Sequence, residues 1–543
     1  MRTPQSREKD FRQWYSVCIF AEKACFFKYE RVVYVIVSRD VRDEQASPKV
    51  FWDTCIHFTT KETGNMLFTS LEFLFLFLPI TLGVYFLLKG VARNYWLLVT
   101  SLFFYAWGEP SFVVVMLGSI LFNYVITLAM VWFKLKRFRK TAKWMLGLAI
   151  TGNLLFLGTY KYLNFITENL RDFFPSLQGA IPQTSILLPI GISFFTFQSM
   201  SYVIDVYRRD AKVQTNFANL ALYVVLFPQM IAGPIVRYVT VFKQIEHRVI
   251  TFDMFSAGVL KFLYGFNKKM LLANLCAILA DECFGASTLS VASAWLGAIA
   301  YTLQIYFDFC GYSEMAIGLG WMLGFPFPRN FNYPYISKTI TEFWQRWHIS
   351  LGRWFRDYVY FPLGGSRVTS KWRLIFNLAI VWAATGIWHG AQWTFILWGA
   401  LYGVIIIFEK LCDWPKKVKA SLPIRLIYQP ITLLFVVLGW VLFRSPTLAS
   451  AVHYLKAMFG IQATGLYDDR FFFNIDSYGL LLLVAIFCAT PMLKNFTKRL
   501  AMRHMAAAKI FMILGYLLQL ILFIIGISFL VMNAHNPFIY FNF

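Results

Sequence analysis

From Leu374 to Phe408 the chain contains no Asp, Glu, Lys or Arg. As one helix this run would be about 50 Å long at about 1.5 Å per residue, against a hydrocarbon core of about 30 Å. It therefore folds as two spans, or as one span and a re-entrant piece. The glycines Gly386 and Gly390 flank the expected break. Between them lies Trp388-His389, and His389 is the only residue of the run that can carry a charge near neutral pH. An ionisable group at a helix break inside a membrane is a functional-site hypothesis by default.

The rest of the composition agrees with a membrane setting. Of 543 residues, 58% are hydrophobic and 15% charged, where soluble domains carry about 25% charge. Apolar runs of spanning length recur, so the fold class is an all-α polytopic membrane protein. The net charge is +23. The basic residues cluster in short loops (Lys134–Lys140, Arg208-Arg209, Lys416-Lys417, Lys494 to Arg503) rather than along one face, so no nucleic acid is expected as a partner. The pattern fits the positive-inside rule and contact with membrane lipids. The eight cysteines show neither metal spacing nor a CxxC pair and read as packing residues; no metal is expected.

Residues 1–65 differ in character from the rest of the chain. They hold 11 Lys/Arg and 9 Asp/Glu and no sustained apolar stripe. They read as an atypical extension, with Met66 as a candidate true start and 66–543 as the integral membrane domain. Candidate spans from 71–88 to 509–532 give about 11 to 13 transmembrane or re-entrant helices. They include 291–310 and 311–325 as separate spans, and 374–388 and 392–408 on either side of the break. If the first span enters from outside, Lys89/Arg93, 134–143 and 208–212 are cytoplasmic. Arg237, Lys243 and Arg248 then fall on the wrong side unless the chain re-enters near Pro228–Pro234. No internal repeat of the kind common in transporters is visible.

The densest polar-aromatic stretch is Arg329–Arg367. Thr339-x-x-Glu342 fits a capping box, and Trp344, His348, Leu351, Phe355 and Tyr358 follow at helical spacing, predicting one amphipathic helix with His348 in its apolar stripe. Arg346, Ser350 and Arg353 point elsewhere. On residues alone, an interfacial helix with an aromatic belt remains open. So does a packing role for either histidine. The chemistry that suits a buried neutral imidazole is accepting the proton of a hydroxyl as it attacks an acyl carbon. No compact Ser-His-Asp set, HExxH, Walker A or dinucleotide motif appears.

Glu342-Phe-Trp-Gln-Arg-Trp-His-Ile-Ser-Leu351, Trp354-Phe-Arg-Asp-Tyr-Val-Tyr-Phe-Pro-Leu-Gly-Gly-Ser366 and Gly386-Ile-Trp-His-Gly-Ala-Gln-Trp393 resemble signatures of the membrane-bound O-acyltransferase (MBOAT) superfamily. The resemblance is closest to its bacterial branch with the alginate O-acetyltransferase membrane subunit. It covers about Met66 to Phe543, including Leu187–Gln198, Phe227–Pro234, Tyr306–Glu314 and Pro537–Phe543. Gly352 departs from it, where a small hydroxyl residue is expected.

This resemblance implies a helical bundle with a central tunnel or funnel, and an O-acyltransferase with His389 as the catalytic histidine and His348 as a supporting, site-lining one. It implies a cytoplasmic acyl donor such as acetyl-CoA, a multi-pass place in the bacterial inner membrane, and transfer to an extracytoplasmic polysaccharide such as alginate, through an extracytoplasmic acetyltransferase partner. Other acceptors in reach are teichoic acid (by D-alanyl transfer), peptidoglycan and cellulose. A polysaccharide transporter or flippase is the reading of another class. The absent repeat and a lack of paired intramembrane carboxylates count against it. A scaffold that only docks a secreted transferase is the third.

Overall fold

A computed structural model of the chain describes residues 66–539 apart from 178, 232, 533–535 and 537. The extension 1–65 and residues 540–543 lie outside the described residues. Among the described residues every regular element is helical. After a π-helical turn at Phe73–Phe77 come α1 (Leu78–Leu87), α2 (Ala92–Gly108), α3 (Pro110–Leu135), α4 (Arg139–Phe173), α5 (Ile192–Arg208), α6 (Phe217–Val225), α7 (Phe227–Met230) and α8 (Tyr238–Glu246). Next are α9 (Phe252–Asn267), a π-turn Lys268–Ala273, α10 (Asn274–Gly285), α11 (Val291–Met322), α12 (Ile340–Arg346), α13 (Ile349–Phe355) and a π-turn Arg356–Tyr360. The remaining helices are α14 (Lys371–His389), α15 (Trp393–Leu411), α16 (Trp414–Ala420), α17 (Leu422–Arg444), α18 (Leu448–Met458), α19 (Asp469–Cys488), α20 (Met492–Arg503) and α21 (Met505–Val531).

Among the described residues, α3, α15, α17, α19 and α21 are each long and apolar enough to cross a membrane alone. α21 turns Ile513, Leu517 and Ile524 outward, a surface suited to lipid. The charge-free run divides as expected: α14 ends at His389, Gly390 and Gln392 are extended, and α15 begins at Trp393.

The expected break between 310 and 311 does not exist. α11 is one 32-residue helix, buried over most of its length. Gly311 is a packing contact rather than a hinge. A Cβ there would lie 2.7 Å from the Gly265 carbonyl oxygen on α9, and Gly318 meets Gly258 in the same way. Small residues let the two backbones touch.

α11 also carries two carboxylates, each paired with lysine rather than with the other. Glu314 pairs with Lys261 and Lys268 at 3.0 and 2.6 Å, and Asp308 pairs with Lys269 at 2.7 Å. Lys261 lies on α9, and Lys268 and Lys269 lie on the π-turn that follows it.

The arginines that conflict with the charge sorting share contacts with the other basic loops. From the end of α5 the chain passes through α6 and α7 and returns in extended form, so that Arg208 and Arg237 line one cavity and both contact Asp357. Lys134 donates to the Tyr207 carbonyl. Arg248 donates to Asn94 Oδ1 at 2.7 Å, and Asn94 in turn to Asn219. These links gather the basic loops 89–93, 134–143, 208–212 and 237–248 at one end of the bundle.

Candidate active site

His389 is the last residue of α14, and its position is set by what receives the end of that helix. The final carbonyls of a helix need donors, and a cation is favoured there. α4 supplies both. Tyr162 donates to the Ile387 carbonyl at 2.6 Å, and Lys161 Nζ reaches the carbonyls of Trp388 (2.6 Å) and His389 (3.3 Å) and Ser193 Oγ (3.3 Å). The imidazole is 5% exposed and stands edge-on to Trp388, Trp398 and Phe443, with centroids 5.0, 4.9 and 5.3 Å away. Its Nε2 is buried and has no hydrogen-bond partner among the described residues.

α14 is held close to α15 by two glycines. A Cβ on Gly399 would lie 2.8 Å from Gly386 Cα and 2.8 Å from the Trp382 carbonyl oxygen, backbone atoms that cannot give way. Gly399→Val should therefore force the helices apart three residues before His389. Misplacement by about 1 Å can cost about 10²-fold in rate, so acyl transfer should fall at least that far in correctly inserted protein. Gly352→Ser, which restores the hydroxyl residue expected from the resemblance, is the control. Its Cβ meets nothing nearer than 3.8 Å, and full activity is expected. Wild-type transfer by Gly399→Val would refute the packing argument.

His348 lies where a continuous helix was expected, and that expectation is corrected. Thr339 Oγ1 does accept from Glu342 N at 3.1 Å, while the Glu342 carboxylate takes Lys338 N. But α12 stops at Arg346, His348 is left-handed (φ 43°, ψ 53°), and a new helix starts at Ile349. The reason is a partner that periodicity does not show: the extended segment before α12 runs alongside the break. Asn332 N donates to the Arg346 carbonyl and Ile349 N to the Asn330 carbonyl, both at 2.9 Å. These bonds offset the cost of a left-handed residue, which is about 1–3 kcal/mol.

Ser350 does not point elsewhere. It is buried, donates from Oγ to Asn330 Oδ1 at 2.9 Å, and accepts from Ile235 N of the extended segment after α7 at 3.0 Å. His348 is 2% exposed, edge-on to Phe309 at 4.7 Å and near Trp388 at 5.9 Å. Its Nε2, too, is buried with no partner among the described residues.

The structure thus brings both histidines against the same indole, Trp388. His389 and Lys161 line a cavity of about 110 Å³ with Gly191, Ser193 and Ile231, at the start of α5. At the other end of that 17-residue helix, about 25 Å away at 1.5 Å per residue, opens a cavity of about 670 Å³ lined by Asp205, Arg208, Arg237, Asp357 and Tyr358. Between the two, α5 buries Thr196, Gln198 and Ser199, whose side-chain polar atoms have no partners among the described residues. The arrangement places cationic side chains at one end of α5 and an unpartnered imidazole nitrogen at the other. Among the described residues no group of three or more His, Cys, Asp or Glu is placed to hold a metal ion.

Three positioning residues escaped the sequence reading. Lys161 had a usable signal, a lone ionisable residue inside an apolar span. Asn330 and Ser350 had none, because their partners are set by a tertiary turn.

Comparison with known proteins identifies the family. The model of the MBOAT, membrane-bound O-acyltransferase family, matches residues 103–415, which include both histidines. A Pseudomonas aeruginosa protein named "Probable alginate O-acetylase AlgI" is 45% identical over 402 residues, 73% of this chain and 75% of its own length. The Helicobacter pylori "Peptidoglycan O-acetyltransferase" is 34% identical over 74% of this chain and 81% of its own. The Bacillus subtilis "Teichoic acid D-alanyltransferase" is 30% identical over 44% and 63%. The chain belongs to the membrane-bound O-acyltransferase family, and it is an O-acyltransferase.

Proposed function

We propose that the protein moves acetyl groups from cytoplasmic acetyl-CoA to a polysaccharide outside the bacterial inner membrane, alginate being the acceptor that its relatives' names favour. The observation that carries this reading is the pair of cavities at opposite ends of α5, one with His389 and the other with Arg208 and Arg237. The arginines suit the phosphates of the donor. The buried polar side chains of α5 suit the amides of its thioester arm.

At the inner end an acceptor hydroxyl attacks the thioester carbonyl carbon while His389 Nε2 takes its proton. Collapse of the tetrahedral intermediate breaks the C–S bond, and the imidazolium returns the proton to the leaving thiolate, giving ester and free thiol. A neutral base held near its substrate is suited to this exchange. The acceptor is the polysaccharide itself, or an extracytoplasmic acetyltransferase partner that passes the group on. D-alanyl transfer is the second reading, supported by the more distant teichoic acid relatives.

Deleting the gene should remove O-acetyl esters from the extracellular polysaccharide without stopping its export, measured by ester content and polymer yield. Unchanged ester content with blocked export would favour a transporter.

The direction of transfer has its own test. Lys134–Lys143 holds six basic residues and no acidic one, and crossing costs about 2.5–3.5 kcal/mol for a single Lys or Arg at a helix centre. A cysteine at Thr141, in a background without reactive native cysteines, should resist impermeant thiol reagents in intact cells and label after permeabilisation. Labelling from outside would reverse the orientation.

A further inference from the structure

Asn330 Oδ1 accepts from Ser350 N at 3.1 Å and from Ser350 Oγ at 2.9 Å, and it faces His348 Nδ1 at 3.2 Å. A backbone N–H can only donate, so the atom it meets is the amide oxygen and the orientation of the Asn330 side chain is fixed. An oxygen that only accepts requires a proton on the nitrogen facing it. His348 Nδ1 also lies 3.5 Å from Ser350 Oγ, whose proton goes to the nearer Asn330 Oδ1. This arrangement favours the proton on His348 Nδ1, which leaves Nε2 bare in the neutral ring. That Nε2 is the buried atom without a partner among the described residues.

We propose that Asn330 is a positioning residue that locks His348 in the Nδ1–H tautomer, presenting Nε2 to the substrates as a hydrogen-bond acceptor. The proposal rests on the reading of the two histidines as the acyl-transfer site.

It constrains the chemistry of His348. With Nε2 bare, the neutral ring can orient the hydroxyl of an acyl acceptor by receiving its hydrogen bond. It cannot donate to the oxyanion of a tetrahedral intermediate without first gaining a proton. The surroundings enforce the choice. The left-handed turn at His348, the Ile349 N to Asn330 carbonyl bond (2.9 Å) and the Ser350 hydroxyl, itself tied to Ile235 N, leave the amide one orientation. Asn330 Nδ2, also buried, has no partner among the described residues, so no competing bond would stabilise a flipped amide.

The test is solid-state 15N NMR of the full chain labelled at histidine, in lipid, with His348 assigned by difference against His348→Gln. The expected spectrum shows His348 with protonated Nδ1 and bare Nε2. Asn330→Asp, which keeps an acceptor oxygen, should retain both the tautomer and most of the transfer activity. Asn330→Leu should move the proton to Nε2 and lower transfer by at least about tenfold, since a histidine held in the wrong tautomer can cost up to about 10⁴-fold. A wild-type spectrum with protonated Nε2 overturns the proposal even if Asn330→Leu does not fold. So does a folded Asn330→Leu protein with wild-type transfer. If His389→Gln keeps full transfer, the reading of the site fails instead, while the wild-type spectrum still decides the tautomer.

Discussion

His389→Ala and His389→Gln should both insert normally and lose acyl transfer almost entirely. The imidazole makes ring contacts but no bond through Nε2, so replacing it removes no Nε2 hydrogen bond from the fold, whereas a general base is commonly worth about 10²–10⁴-fold in rate. Glutamine keeps polarity and much of the volume, so its failure would separate proton transfer from packing. His348→Ala should also impair transfer, by less, because in the proposed mechanism His389 takes the proton and His348 only supports the site. The check is ester content of the polymer at matched membrane expression. Wild-type ester levels in either His389 variant would remove the assignment.

The largest expected effect on stability lies away from the histidines. Asp308 and Lys269 are almost fully buried, with side chains 2% and 1% exposed, and 2.7 Å apart. They anchor a polar chain through the bundle. Lys269 donates to Asn274 at 2.8 Å, Asn274 to Asn536 at 3.1 Å, and Asn536 to Thr69 at 3.3 Å. Asp308 Oδ2 accepts from Ile539 N at 2.9 Å. Removing one partner of such a pair leaves the other charge buried and costs about 3–5 kcal/mol. Asp308→Leu should therefore lower the unfolding midpoint of the detergent-solubilised protein clearly. Asp308→Leu combined with Lys269→Met should recover much of the loss, because apolar replacement of a whole buried pair is often neutral. A single variant as stable as the wild type, or a double variant worse than the single, would show that the pair does not act as a unit.

What the sequence made legible came from solvent and length. The run Leu374–Phe408 had to break, and the break fell at Gly390–Gln392 because no single helix fits the bilayer and His389 tolerates burial only beside a cavity. The loops Lys134–Lys143 and Arg208–Lys212 could be grouped because charge sorts by side. The conflict of Arg237 with that sorting pointed to the irregular chain around Pro228–Pro234, where the structure has one short helix and an extended return.

The rest depended on contacts that periodicity cannot encode. His348 has helical spacing to Trp344 and Leu351, yet Asn330 and Asn332 make a turn there more favourable than a continuous helix. The expected division between 310 and 311 gives way to one helix in which Gly311 packs against Gly265. Glu409, which in the sequence only bounds the charge-free run, is fully buried and accepts from Ile340 N and Thr341 N, both at 2.8 Å. It fixes the start of the helix that leads to His348. Only the fold shows that α15, the helix after His389, also anchors the segment holding His348.

The most direct measurement of transmembrane acyl transfer uses right-side-out vesicles of the source cells loaded with acetyl-labelled acetyl-CoA, with polysaccharide outside. The chromosomal copy would be wild type or His389→Gln. Label should appear as alkali-labile ester on the outer polymer with the wild type and be absent with His389→Gln. Equal labelling by both, or labelling only when acetyl-CoA is supplied from outside, would contradict transfer through His389 from the cytoplasmic side.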